Sequence, residues 1–221
     1  MNHLESQNSI FESSFMKESF HTVSLGMGCF WGPDALFGHL PGVIRTRVGY
    51  AGGSTPHPTY RQMGDHTEIV EIDFDPDSIS LEDILNVFWN HHNPVNINDY
   101  KGRQYMSLLL YHDELQRNTI PRMIKEGKGE TLTSIAPYSR LYLAEDKHQK
   151  YYLKRYPNAL DNLAEIYSSH DDLVNSTIVA RLNGLAKGYT SLERIVNEIV
   201  QWSTNSNQKQ KIMDVIQKIR W

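Results

Sequence analysis

Cysteine occurs once in the 221 residues, at Cys29 within Gly26-Met27-Gly28-Cys29-Phe30-Trp31-Gly32-Pro33. Thr22 to Leu25 reads as a short strand before it, and Pro33 to Phe37 as the first turns of a helix after it, where proline is tolerated because its missing N–H would be unpaired anyway. A thiol in a glycine-flanked turn near a helix N-terminus meets free N–H groups and a partial positive charge, which favour a thiolate. Gly26, Gly28 and Gly32 let backbone approach the sulfur closely, and Phe30 and Trp31 set two apolar rings beside it. The pattern fits a nucleophile next to an aromatic pocket; a lone cysteine buried as a small hydrophobe fits it as well.

A second group with chemical potential is Glu68, at the head of Glu68-Ile69-Val70-Glu71-Ile72-Asp73-Phe74. Period-two alternation puts Val70, Ile72 and Phe74 on one face of a strand and Glu71 and Asp73 on the other, with Glu68 on the apolar face. If that face is buried, desolvation raises the carboxyl pKa and suits Glu68 to general-acid work; the alternative is that it bends out to water. His91 and His92 are adjacent, but neighbours point apart on most backbones and no further ligand cluster accompanies them, so no metal site is expected.

The elements that must hold these groups alternate between strand and helix. Val43 to Val48 reads as a strand ended by Gly49-Tyr50-Ala51-Gly52-Gly53, and Ser54 to Asp65 as loop. Ser80 can cap a helix whose Leu81, Ile84, Leu85 and Phe88 recur at helical spacing. Gln104 to Tyr111 is a nearly continuous apolar run, as in a strand covered on both faces. A helix from about Asp113 to Glu126 contains Pro121, Arg140 to Leu143 reads as a strand, and Ala144 to Gln149 as a short helical turn. Expected is an α/β (α+β) fold: a mixed β-sheet with flanking helices in a two-layer sandwich over 21–157, plus a C-terminal all-helical extension over 158–221. Residues 1–20 are expected to form a disordered tail.

The chain is 39% hydrophobic and 22% charged with a formal charge of −4 and a pI near 6.2, which gives no sign of a nucleic-acid surface. One cysteine allows no intrachain disulfide, and a reducing compartment fits that usage. Neither a Sec-type signal peptide nor a run long enough to span a membrane is visible, so a cytoplasmic protein is expected. No CxxC, HExxH or phosphate-cradling glycine loop is present, and no bound cofactor is expected.

The motif Gly28-Cys29-Phe30-Trp31-Gly32 resembles the catalytic signature of the type A peptide methionine sulfoxide reductases. The resemblance continues in the family's order through Gly49-Tyr50-Ala51-Gly52-Gly53, Pro58-Thr59-Tyr60, Asp65-His66-Thr67-Glu68, Phe88-Trp89-Asn90-His91-His92-Asn93-Pro94, Gly102-Arg103-Gln104-Tyr105 and Ala144-Glu145-Asp146-Lys147-His148-Gln149. It implies reduction of methionine-S-sulfoxide, free or in proteins. By that resemblance Cys29 is the nucleophile, Glu68 the acid that protonates the sulfoxide oxygen, and Tyr60 and Tyr105 the hydroxyls that bind it. Phe30 and Trp31 hold the substrate methyl, and Gly28 and His66 join them as substrate-binding positions. The product on Cys29 is a sulfenic acid, which a second thiol must reduce.

Two departures from the family follow. Resolving cysteines are missing, so the expected reductant is an external thiol, either thioredoxin or glutathione with glutaredoxin. The loop before Gly102 is shorter than usual, with Tyr100 at the spacing of a family aspartate and Asp99 one place out, so Asp99 is carried as the catalytic candidate there. Competing readings are a reactive Cys29 used for peroxide reduction or acyl transfer, and a catalytically weakened relative that binds methionine sulfoxide or a protein partner.

Overall fold

The computed structural model describes residues 20–95, 97, 102–127, 129 and 132–221. Asp99 and Tyr100 lie outside these, as do residues 1–19. Strands β1 (His21–Met27), β2 (Val43–Ala51), β3 (Thr67–Phe74), β4 (Ser107–Tyr111), β5 (Ser134–Pro137) and β6 (Tyr142–Leu143) form one sheet in the order β5-β4-β1-β3-β2-β6. All neighbours are antiparallel except β4 and β5, which makes the sheet mixed. Helix α1 (Trp31–Gly38) follows β1, α2 (Leu81–Asn90) follows β3, and α3 (Glu114–Lys125) follows β4.

The local signals account for most of these elements. Ser80 accepts from Asp83 N–H while Asp83 reaches back to Ser80 N–H, a full capping box for α2, and Leu81, Ile84, Leu85 and Phe88 are all buried. Asp113 caps α3, which carries Pro121 in its interior. Val70, Ile72 and Phe74 join the main core, as the alternation requires. The opposite row does not face water: Glu71 and Asp73 are buried because Arg47 reaches both, at 2.6 and 3.1 Å, and Arg45 reaches Asp73.

Four local readings change. The strand expected over 43–48 runs on through Gly49, Tyr50 and Ala51, which pair with Ile69, Glu68 and Thr67 of β3. The apolar run 104–111 is not one strand: Gly102–Tyr105 is a 3₁₀ turn, which takes Tyr105 out of the sheet, and β4 begins only at Ser107. The strand expected over 140–143 shortens to two residues on the edge of β2. The Ser134–Pro137 strand had no alternation to betray it; it is held by parallel pairing to β4.

Beyond the sheet come α4 (Ala159–Leu163), α5 (His170–Val174), α6 (Thr177–Lys187), α7 (Leu192–Gln201) and α8 (Ser206–Gln217), packed around their own apolar cluster. Helix α6 also lies directly against α1. Gly38 and Gly184 mark the close approach: a Cβ on Gly38 would stand 2.9 Å from the Ala180 carbonyl oxygen, and one on Gly184 2.4 Å from His39 Cβ. Arg181 of α6, 2% exposed, donates to the carbonyls of Gly38 and Val43 and pairs with Glu198 of α7.

The same helix is held from its first turns by a buried polar knot. Asp34 of α1 receives the Lys150 ammonium at 2.7 Å, the Lys150 N–H at 3.0 Å, the Thr46 hydroxyl at 2.6 Å and the Asn183 amide at 3.2 Å. Both Asp34 and Lys150 are fully buried. Removing one partner strands the other charge in a low-dielectric interior. Lys150→Met is therefore expected to cost about 3–5 kcal/mol of stability, measured by urea denaturation; a loss below about 1 kcal/mol would show that the pair is relaxed by water.

Candidate active site

Cys29 sits between the end of β1 and the start of α1. Gly28, at φ +89°, makes the turn between the end of β1 and Cys29, and a side chain there would be strained. The thiol and Glu68 share one helix end. Glu68 Oε2 accepts the N–H of Phe30 at 3.1 Å, while the N–H of Trp31 is directed to the Cys29 sulfur. The side-chain amide of Gln104 donates to Glu68 Oε1 at 2.9 Å. Glu68 is 1% exposed, so the carboxyl stays on the buried row and does not bend out to water.

That sharing reverses one expectation. Cys29 is an exposed residue, yet its thiol lies above the ordinary value: desolvation raises it most, Trp31 N–H offsets part of this, and the charge of Glu68 raises it further. The Trp31 N–H at the helix start does favour a thiolate, but desolvation outweighs it and the Glu68 charge adds to desolvation, so the thiol is held above its ordinary value.

Two tyrosines complete the polar side. Tyr105, on the 3₁₀ turn, hydrogen-bonds Tyr60 and feels Glu68 and Cys29; burial first, then these neighbours, hold its hydroxyl protonated. Tyr60 is 37% exposed at the mouth of the site. The structure thus brings Cys29, Glu68, Tyr60 and Tyr105 to one place from four separate segments. His66 differs from them. Its Nδ1 accepts from Gly53 N–H at 3.2 Å and its Nε2 meets the Thr55 carbonyl at 2.8 Å, so both ring nitrogens are committed to the loop 53–66. Asp65 ties the same loop through Ser54 and Thr55, and those bonds hold its carboxyl far below the usual range. His66 supports the wall and offers no ring nitrogen to a substrate.

The aromatic side is larger than two rings. Phe30 is buried against Tyr50, and Trp31 is stacked on Tyr151 with ring centres 3.7 Å apart. Glu145 joins the walls: it accepts the Tyr50 hydroxyl at 2.7 Å and the Tyr60 N–H at 3.1 Å. Tyr50, Gln104, Glu145, His148 and Tyr151 carry no spacing signal of their own. Tyr50, Gln104, Glu145 and His148 could have been found only as parts of the motifs that contain them. Among the described residues no group of three or more His, Cys, Asp or Glu could hold a metal ion. His92 instead bonds the Phe88 carbonyl and the Ser107 hydroxyl.

The sequence profile of the family described as peptide methionine sulfoxide reductase matches residues 21–179. The chain belongs to that family. The peptide methionine sulfoxide reductase of Drosophila melanogaster is 40% identical over 194 residues, covering 86% of this chain and 77% of its own. The MsrA protein of Salinispora arenicola is 41% identical over 150 residues, 61% of this chain and 68% of its own. Among solved structures, methionine sulfoxide reductase A of Corynebacterium diphtheriae superposes with a TM-score of 0.54 at 33% identity, covering 64% of this chain and 77% of that one. These place the chain among the type A reductases, as an oxidoreductase working through a cysteine, and with one cysteine in all it is a one-cysteine form. The family match runs past 157 through the first residues of α6, the helix packed on α1. Among the described residues no helix is long and apolar enough to cross a membrane.

The shared helix end makes a measurable demand. Iodoacetamide alkylation of Cys29 is expected to accelerate with pH through and beyond the ordinary thiol range. In Glu68→Gln, with the like charge gone, the apparent pKa falls toward the ordinary value. A wild-type profile already flat at neutral pH, or no downward shift in Glu68→Gln, contradicts the arrangement.

Proposed function

We propose that the protein reduces the S epimer of methionine sulfoxide to methionine, with Cys29 as nucleophile and Glu68 as proton donor. The observation that carries this reading is the joint hold of one helix end on Cys29 and Glu68, with Tyr60 and Tyr105 beside them. A sulfoxide oxygen leaves poorly until it is protonated or strongly hydrogen-bonded, so the attacking sulfur needs an acid and donors on the side of that oxygen. In the resting site the proton lies on Cys29. With a sulfoxide oxygen seated against the Tyr60 and Tyr105 hydroxyls, that proton passes to Glu68, which delivers it to the oxygen as the Cys29 sulfur attacks.

The balance is simple. The Cys29 sulfur bonds to the sulfoxide sulfur, the protonated oxygen passes to the Cys29 sulfur, and the new S–S bond breaks to release methionine. Thiol plus sulfoxide thus gives sulfenic acid plus methionine, with the sulfoxide sulfur reduced and Cys29 oxidised by two electrons. Phe30 and Trp31 enclose the substrate methyl, which fixes the orientation at sulfur and with it the preference between epimers. Two equivalents of an external thiol then return Cys29 to the thiol, with release of water and formation of a disulfide in the reductant. Thioredoxin or glutathione with glutaredoxin is the expected source, since the chain has no second cysteine to resolve the sulfenic acid. Free and protein-bound methionine sulfoxide both present the same side-chain chemistry to this site.

The reading is tested by turnover of the separate S and R epimers with dithiothreitol as reductant. Wild type is expected to reduce the S epimer alone, and Glu68→Gln to lose about 10²–10⁴-fold in rate, the usual contribution of a positioned acid. Equal rates for the two epimers, or a Glu68→Gln enzyme as fast as wild type, would overturn it.

A further inference from the structure

The motif 144–149 holds a histidine to which the reaction above gives no part. His148 is 4% exposed and lies behind both walls of the site. Its Nδ1 accepts the indole N–H of Trp31 at 3.1 Å, and its ring packs against Phe30 at 5.5 Å and Tyr60 at 4.8 Å between centres. Accepting at Nδ1 requires a lone pair there, so the single proton of the neutral ring is on Nε2. That Nε2–H is buried with no hydrogen-bond partner, and the nearest carboxylate, Glu145, is 3.9 Å away. A buried donor left unpaired is costly, so the ring holds this orientation against a penalty.

The support beneath it is rigid. Ala144 N–H donates to the Val48 carbonyl at 3.0 Å, and the Gln149 amide brackets the Val48 peptide, accepting its N–H at 3.0 Å and donating to its carbonyl at 2.7 Å. The next residue, Lys150, enters the buried knot on α1. The imidazole is therefore anchored from β2 and α1 at once, and it can fix the edge of an indole whose face is stacked by Tyr151.

We propose that His148 is the positioning residue of the aromatic wall, setting the Trp31 indole through Nδ1 and thereby governing affinity for the sulfoxide side chain. The inference rests on the functional reading above. A wall that contacts the methyl group in ground and transition states alike contributes uniform binding, so its loss appears in KM more than in kcat.

The experiment compares His148→Leu, which has no acceptor, with His148→Asn, whose Oδ1 can take the place of Nδ1. His148→Leu should raise KM for methionine-S-sulfoxide about 10-fold, the size expected when a buried N–H loses its acceptor, with kcat changed less than about 3-fold and Cys29 alkylation by iodoacetamide unchanged. His148→Asn should recover most of that KM. In a Trp31→Phe background, which lacks the indole N–H, His148→Leu should add little further. A normal KM in His148→Leu, or His148→Asn as impaired as His148→Leu, overturns the positioning role while wild type remains active. If wild type reduces neither epimer, it is the functional reading that fails. If His148→Leu is unstable, His148→Asn decides when it is made both in the wild-type chain and in the Trp31→Phe background: the proposal requires near-normal KM with the indole and no effect without it.

Discussion

Two acidic groups compete for one helix N-terminus, and the chemistry of this chain depends on that competition. Phe30 N–H is given to Glu68 and Trp31 N–H to Cys29, so neither group has the whole positive end to itself. Burial first, and then the charge of Glu68, hold the Cys29 thiol above its ordinary value. The resting state therefore keeps the thiol protonated and unreactive toward stray electrophiles. In the proposed reaction it becomes a nucleophile when its proton passes to Glu68 with the sulfoxide seated, which couples reactivity to the presence of substrate. Placing the pair requires α1 to start one residue after Phe30 and β3 to present Glu68 from its buried row.

The position of α1 is in turn fixed by residues far along the chain. Asp34 is gripped by Lys150 and by Asn183 of α6, and Arg181 caps the other end at Gly38. The helices after 158 thus reach the helix that follows Cys29. They hold it through Asn183, Arg181 and close glycine contacts, beside the buried ion pair that Lys150 makes with Asp34 from the preceding segment. A buried pair of this sort is weak evidence of net stability, but it does specify where α1 lies relative to the sheet.

Much of this was legible in the sequence, and what was missed has a physical reason. The β3 alternation and the Ser80 capping box report local geometry, and the structure keeps both. Glu68 could be placed on the apolar face by period alone, but whether it was buried depended on Gln104 and Phe30 arriving from elsewhere. The sequence shows the helix end that favours the Cys29 anion but not the burial that outweighs it, nor that Glu68, thirty-nine residues on, folds back beside the sulfur. Tyr105 was assigned to a strand because an apolar run does not show where a 3₁₀ turn ends. His66 was carried over with its motif, yet its contacts belong to the loop. His148 had no periodicity to mark it at all.

The most direct measurement of the central claim is a single turnover with pre-reduced protein and excess methionine-S-sulfoxide, followed by dimedone labelling and intact-mass analysis. The account predicts about one methionine per chain, as the single thiol of the chain dictates, together with a dimedone adduct on Cys29 and no disulfide. Methionine formed with Cys29 still reduced, or no methionine from a folded protein whose Cys29 remains alkylatable, would contradict it.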